Sequence, residues 1–596
     1  MFKYDYLKVA VASPTVKIGK PIENAKQIVD VLNNYSDASI ILFPELSLIG
    51  STLGDWNHNA SLLNEQNIAL NYLKEYSNDQ ILIVGGSYQY LDSLYNVAYV
   101  IQNGYILGIV PKVYLDKEEK RHFQSGGEFV SEPVTVEFLG DEVLFGNVNF
   151  INSLHNISFG IEIGQDLGHI SEAQIIFNLN SATYYLGKNE EYESMVKAVS
   201  LQKKCCYILA STNASESASD VLYNGQIVAY ENGELLLKEI SYSFGNNVHL
   251  LDIDIEYLKF VRFNNSFNQF TEPFIEFDLE VSSDYTLSNK IDAEPFVIKN
   301  DQQAKEIIDV LSTSLYHRLN HIGISKVVIG VSGGLDSTLA LLVAHQCFLK
   351  YNIPTTNIIA FSMPALATGS KSQQIALDLM NELRVKGAIL PIGNEIKSHF
   401  DLIHHDENVK NTTYENVQAR YRTFVLMNVS NSEKAIVLGT GDMSEIALGW
   451  STFNGDQMSM YNINAGLPKT AIRSLVAYFT KVYPNLQFVI TDVINATITP
   501  ELTSSSQSTE EIIGKYEIND FILQQIFGRG ASFERVVYLL EQLFNLDNEQ
   551  ASTYYNNFMR RFKQNQFKRL ASPEGVRIFK LSLSPHGALK FPGDLK

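Results

Sequence analysis

Lys326-Val327-Val328-Ile329-Gly330-Val331-Ser332-Gly333-Gly334-Leu335-Asp336-Ser337-Thr338 is the stretch that decides the fold around it. β-favouring apolar residues run into a Ser/Gly turn, and apolar periodicity resumes at residues 339–343 as a helix begins. A buried strand that turns through glycines into a helix presents free backbone N–H groups and the positive end of the helix dipole. That geometry suits an anion such as a phosphate chain. Gly333 and Gly334 let backbone approach the ligand, and Ser332, Ser337 and Thr338 add hydroxyl groups. Asp336 is the odd member. A carboxylate beside phosphates repels them unless a divalent cation lies between, so it implies Mg²⁺.

The stretch lacks the lysine of Gly-x-x-x-x-Gly-Lys-Ser/Thr, and it is not Gly-x-Gly-x-x-Gly. Ser-Gly-Gly-x-Asp-Ser resembles the pyrophosphate loop of ligases that split ATP into AMP and pyrophosphate. Upstream, residues 301–321 read as a helix with Ile307, Leu311, Leu315 and Leu319 on one face and Gly323 as its stop. Downstream come a strand at 357–361 ending in Ser362-Met363-Pro364, a helix at 372–383 and a strand at 388–391. This is the rhythm of a doubly wound parallel sheet, whose ligands sit at the carboxyl ends of strands. A helical segment at 415–422 follows, then a strand at 434–438 that opens into Gly439-Thr440-Gly441-Asp442-Met443-Ser444-Glu445. Beyond it stand Gly449-Trp450-Ser451-Thr452, Gly455-Asp456-Gln457-Met458 and Gly466-Leu467-Pro468-Lys469-Thr470.

Composition bounds the partners. The 596 residues exceed one ordinary domain, and a formal net charge of −20 with no long basic run argues against nucleic acid and anionic membranes. The three cysteines, Cys205, Cys206 and Cys347, form no Cys-x-x-Cys pair, which argues against zinc and a disulfide framework. No apolar stretch approaches membrane-spanning length, so a reducing cytoplasm is expected.

The first half alternates strands (7–11, 38–43, 80–84, 157–163, 175–179) with helical runs such as 22–33, and a hairpin is expected at 97–110. Three strand ends belong together: Phe43-Pro44-Glu45-Leu46, Pro111-Lys112-Val113-Tyr114-Leu115 and Ile163-Gly164-Gln165-Asp166-Leu167. The trio resembles the nitrilase superfamily, which implies an α-β-β-α sandwich with Glu45 at the place of the base and Lys112 at that of the oxyanion-stabilising lysine. Gly164 falls at the place of the cysteine nucleophile, and glycine cannot form a thioester. Gln165 stands where the family has glutamate, and the segment 115–121 lacks residues that the family uses around its pocket. Cys205 and Cys206, in an apparent buried strand some forty residues on, are poor replacements. The expectation is an inactive glutaminase-like domain at 1–260, with Glu45 and Lys112 as relics. A linker at 261–290, rich in Phe, Asn, Ser and Asp, then precedes a second domain at 291–596.

Taken together the motifs resemble the glutamine-dependent NAD synthetases, in which a nitrilase-type glutaminase precedes an ATP-pyrophosphatase-type synthetase domain. The resemblance extends through Ile513-Gly514-Lys515-Tyr516-Glu517 and Gln566-Phe567-Lys568-Arg569. It implies a ligase that adenylates the nicotinate carboxylate of deamido-NAD with ATP, after which ammonia displaces AMP. Gly330, Val331, Ser332, Gly333, Gly334, Leu335, Asp336, Ser337, Met363 and Thr440 would hold ATP. Asp336 and Glu445 would hold Mg²⁺, while Asn416, Arg420, Trp450, Asp456, Lys469 and Lys568 would meet substrate. Simpler readings stand beside these: Glu445 as a first-turn helix residue, Trp450 as a core aromatic, Lys568 as part of a basic face with Arg560, Arg561, Lys563 and Arg569. The nitrogen donor is expected to be ammonia, and a homo-oligomer is expected. The alternatives are glutamine use through an unrecognised nucleophile or a partner glutaminase, and another amide ligase of the same loop class.

Overall fold

The computed structural model describes residues 1–265, 273–366, 370–497, 509–587 and 589–595. It divides into two compact units, Met1–Ile291 and Asp292–Lys596.

In the first unit two sheets stack between helices. One sheet runs, in spatial order, Phe2–Lys3, Tyr6–Ser13, Ile40–Leu42, Ile81–Tyr90, Ser93–Gln102, Tyr105–Pro111, Asp141–Phe145 and Val134–Phe138, with Asn247–Asp254 antiparallel to Tyr6–Ser13. The other runs Glu234–Glu239, Ile227–Glu231, Cys206–Ser211, Ile175–Asn180, Ile157–Ile163, Asn149–Asn152 and Phe274–Glu276. Side-chain alternation separates the layers. From the strand Tyr6–Ser13, Leu7, Val9 and Val11 join the core between the sheets, packing with Phe159, Ile161, Ile163 and Ile208. Ala10 and Ala12 instead face the layer built with helices Pro21–Asn34 and Ala60–Tyr76. On the far side Ile176, Tyr207 and Leu209 meet Tyr192 and Val196 of the helix Lys188–Lys203. The result is an α-β-β-α sandwich whose strands are apolar on both faces.

Two expectations change here. Gly85-Gly86 does not end a strand, because pairing continues to Tyr90. A Cβ on Gly85 would lie 2.4 Å from the Leu46 backbone nitrogen and 2.5 Å from the Pro44 carbonyl oxygen, so glycine there admits the turn that carries Glu45. The span read as a linker is also largely built into the first unit, although Ser266-Phe267-Asn268 lie outside the described residues. Asp254 caps a helix, Ile255–Asn264, by accepting from the Tyr257 N–H, and Phe274–Glu276 adds a parallel edge strand to Asn149–Asn152. Asp252 accepts bonds from the Tyr285 hydroxyl and the Ser288 and Asn289 amides. A three-residue strand and side-chain-to-backbone bonds leave no periodic trace.

The second unit begins with α1 (Asp301–Ile322), capped by Asn300 and ended by Gly323 at φ +69°. There follow β1 (Val327–Gly330), α2 (Leu335–Lys350), β2 (Ile358–Ser362), α3 (Ser370–Glu382), β3 (Lys386–Ile389), α4 (Thr412–Glu433) and β4 (Ile436–Gly439). Next are α5 (Met443–Leu448), β5 (Tyr461–Asn462), α6 (Lys469–Val482) and, further on, α7 (Tyr516–Leu523). The sheet order is β3-β2-β1-β4-β5, all parallel. On one face Val328, Ile359 and Val437 pack with Tyr414, Val417 and Leu426 of α4. The chain leaves β1 toward β2 and leaves its neighbour β4 toward β5, in opposite directions, so the crevice between β1 and β4 is where an open α/β sheet binds its ligand. Among the described residues no helix is long and apolar enough to cross a membrane.

Gly85→Ala is expected to lower the stability of the first unit by about 1–3 kcal/mol through backbone overlap. Gly245→Ala, at a position with open space, should be nearly neutral. Thermal unfolding of the full-length variants followed by circular dichroism checks both.

Candidate active site

At the carboxyl end of β1, Ser332 and Gly333 turn the chain into α2, whose N-cap Gly334 makes no side-chain cap. Gly333 has φ +89°, and a Cβ there would lie 2.3 Å from the Ser372 carbonyl oxygen, so only glycine fits. The Ser332 and Ser337 hydroxyls brace the turn, Ser332 accepting from the Gly334 N–H at 3.2 Å and Ser337 donating to the Gly334 carbonyl at 3.2 Å. The first N–H groups of α2 therefore point outward for an incoming anion. They open on a cavity of about 900 Å³. Its walls include every synthetase residue expected above: Gly330 through Ser337, Met363, Asn416, Arg420, Thr440, Glu445, Trp450, Asp456, Lys469 and Lys568.

The floor of the cavity is a buried ion cluster. Lys469, 2% exposed, sets its Nζ 2.7 Å from Asp336, 2.6 Å from Asp442 and 3.0 Å from Glu445. Lys469, expected to meet substrate, here pairs with carboxylates, since three acids this close cannot be buried without a counter-charge. Burial opposes its charge, but Asp336, Asp442 and Glu445 outweigh that and hold Lys469 well above the ordinary lysine range. Burial, followed by the neighbouring acid charge, pushes Asp442 well above the usual carboxylate range. Glu445 rises to about 7, again mainly by burial and against the pull of Lys469. Asp442 also caps α5, accepting from the Glu445 N–H at 2.8 Å. The Asp442–Glu445 spacing is that of a capping box, the local signal in the sequence that marks Asp442.

The donor set fits a hard divalent cation. Asp336, Asp442 and Glu445 offer carboxylate oxygens that all lie within 4.8 Å of one another. Asp336 Oδ1 is buried without a hydrogen-bond partner among the described residues.

Higher on the wall, Trp450 follows the αL Gly449 that ends α5. The Arg561 guanidinium lies 5.4 Å from the Trp450 ring, a cation–π contact that the sequence gave no means to place. Lys568, expected to touch substrate, donates to the carbonyls of Gly449 and Ser451 at 2.7 and 2.8 Å and so fastens the Trp450 turn. Asp456 accepts from the Thr452 amide, and Thr452 donates to Asn416. Arg420 donates to the Phe453 carbonyl at 3.2 Å. These polar residues shape one strap around Trp450.

In the first unit the three strand ends do meet. Lys112 Nζ lies 2.6 Å from Glu45, and Lys112 also pairs with Glu119, a carboxylate that the sequence reading did not single out. Asn96 donates to Glu45 Oε1 at 2.7 Å and Ser181 to Oε2 at 3.0 Å. Burial and then the Glu45 charge raise Glu119 to about 7, against the pull of Lys112. Gly164 has φ +50°, and a Cβ on it would lie 2.5 Å from Lys112 Nζ and 3.1 Å from Glu45. Cys205 and Cys206 are fully buried, and burial pushes the Cys205 thiol up to about 12 and Cys206 well above its ordinary range. Neither is a thiolate nucleophile in this fold.

Comparison with known proteins places the chain in a family. The NAD synthase family model matches residues 307–572. The glutamine-dependent NAD(+) synthetase of Mycobacterium tuberculosis is 31% identical over 661 residues, covering 100% of this chain and 97% of that one. That of Mycobacterium leprae is 30% identical, with the same coverage. Among solved structures, a glutamine-dependent NAD(+) synthetase from Cytophaga hutchinsonii covers 99% of this chain and 97% of its own at a TM-score of 0.42 and 17% identity. With likeness running along its whole length, the chain belongs to the glutamine-dependent NAD(+) synthetase family, and it is a ligase.

Proposed function

We propose that the second unit amidates deamido-NAD to NAD at the expense of ATP, and that the nitrogen comes from free ammonia. The synthetase half of the reading is carried by the single cavity that gathers the phosphate loop, the carboxylate cluster and the Trp450 strap. The N–H groups at the start of α2 hold the terminal phosphates of ATP. The nicotinate carboxylate attacks the α-phosphorus, forming a C–O–P link as the bond to pyrophosphate breaks. Ammonia then adds to the activated carbonyl, the C–O bond to AMP breaks, and the surplus proton leaves to solvent. Asp336, Asp442 and Glu445 would hold Mg²⁺, which when bound neutralises charge on the departing pyrophosphate. Lys469 holds the three acids together, and Trp450 offers a flat face suited to the pyridine ring.

The donor half rests on Gly164. Without a side chain it supplies no sulfur, and the Lys112 ammonium stands where a Cβ would project. The relatives' name favours a second reading, in which glutamine still supplies the nitrogen, through an unrecognised nucleophile or a partner glutaminase. The reading also includes cytoplasmic work and a homo-oligomer, for which exposed Tyr185, Leu186 and Leu222 on the first unit offer apolar surface. Light scattering on the purified chain would decide that point.

NAD formation from deamido-NAD, ATP and Mg²⁺ is expected with ammonium as the only nitrogen source, while ammonium-free glutamine should give background. Turnover with glutamine would overturn the donor assignment, and silence with both would overturn the synthetase assignment. Asp336→Asn should lower kcat with ammonium roughly 100-fold, the order seen when one charge-stabilising group is lost. It should also move the Mg²⁺ activation curve to higher concentration.

A further inference from the structure

Tyr516 opens α7 and belongs to the Lys515-Tyr516-Glu517 stretch, to which the reading above assigns no task. Its side chain is 3% exposed and its ring centroid lies 5.1 Å from Lys469 Nζ. It lines the same cavity as the phosphate loop. The hydroxyl is buried, yet it has no hydrogen-bond partner among the described residues. A phenol shut away from water with no acceptor is destabilising, and phenylalanine would fill the same space without that defect. None of the described groups around it bonds the hydroxyl: Lys469 donates to its three carboxylates, and the phenol has no partner among them. Burial keeps the phenol protonated, far above its ordinary range, with Lys469 opposing and Glu445, Asp442 and Asp336 reinforcing. A neutral donor is thus held ready beside the end of the cavity where α2 presents its amides.

We propose that the Tyr516 hydroxyl donates a hydrogen bond to a phosphate oxygen of bound nucleotide, making it a nucleotide-binding residue. This rests on the ATP-dependent reading above. The ring packs beside the Lys469 ammonium. The hydroxyl is satisfied only when the phosphate chain arrives.

Tyr516→Phe in the full chain separates the two parts, since it keeps the ring and removes only the donor. Three quantities are read: the melting temperature of the ligand-free protein, calorimetric binding of Mg²⁺–pyrophosphate and Mg²⁺–ATP, and the Michaelis constants with ammonium as donor. The ligand-free variant should melt at the same temperature as the parent or higher. Its affinities for both phosphate ligands should fall about tenfold, and KM for ATP should rise by a similar factor with KM for deamido-NAD unchanged. Equal phosphate affinity in parent and variant overturns the proposal. A variant that melts lower or fails to fold also overturns it, because the hydroxyl would then be serving the fold. If the parent itself binds neither ATP nor pyrophosphate, the functional reading beneath the proposal fails instead.

Discussion

One buried ammonium holds the second unit's site in shape. Lys469 starts α6, Asp336 lies in the first turn of α2, and Asp442 and Glu445 cap and open α5, so three helix N-termini converge on a single nitrogen. The positive ends of three dipoles favour acidic side chains at that point, and the lysine offsets the charge the acids bring. Removing one partner of such a buried set typically costs 3–5 kcal/mol, because the others are stranded in a dry environment. The cluster is also tied to α7. The Lys469 amide donates to the Ser444 hydroxyl at 2.9 Å, and Asp520 accepts from Ser444 and from the Thr470 hydroxyl and amide. Four helices therefore take their position from one knot of charge, and the cavity above it is the space they leave.

The first unit contains a smaller version of the same device with the opposite outcome. There Lys112 lies between Glu45 and Glu119, and both Glu45 oxygens have protein donors, from Asn96, Lys112 and Ser181. The Glu45–Lys112 pair is closed on itself. In the second unit the knot leaves an unserved oxygen on Asp336 and an unserved hydroxyl on Tyr516, both facing the cavity. Native proteins rarely leave buried polar atoms unpaired, so such a pairing deficit marks where a ligand completes the structure. The contrast is confined to the pair itself, since Asn96, which donates to Glu45, keeps a buried Oδ1 without a partner among the described residues.

How much of this could be read beforehand follows from how each feature is encoded. The phosphate turn, α1 with its glycine stop and the alternation of strand and helix are local: a few neighbouring residues set them, and the structure has them where the sequence put them. Of the residues proposed for the synthetase site, the 330–337 turn, Met363 and Thr440 follow strand ends, which the topology brings together, whereas Asn416 and Arg420 lie on α4 and reach the cavity from a helix. What escaped depends on distant partners. In the sequence Lys469 reads as a substrate ligand because the acids that claim it lie 24 to 133 residues away. Arg561 over Trp450 is likewise a long-range contact with no periodic signature, and Glu119, only 7 residues from Lys112, reaches it through a loop that periodicity does not describe. The edge strand Phe274–Glu276 is three residues long, too short for alternation to show.

The same separation of encodings explains how the first unit keeps its shape around Gly164. The elbow is fastened by its neighbours. Asp166 accepts from the amides of Val113, Tyr114 and Ile163, which ties the lysine segment to the nucleophile turn. Glu162 accepts from the amides of Gly168, Ile170 and Ser171 and from the Tyr207 hydroxyl, which fixes the loop that follows. Each of these bonds begins or ends on a residue other than 164. The positive φ at that position is one that glycine adopts more easily than any side-chain-bearing residue. A side chain at residue 164 would carry backbone strain and crowd Lys112 Nζ, and none of the bonds that fasten the elbow depends on one.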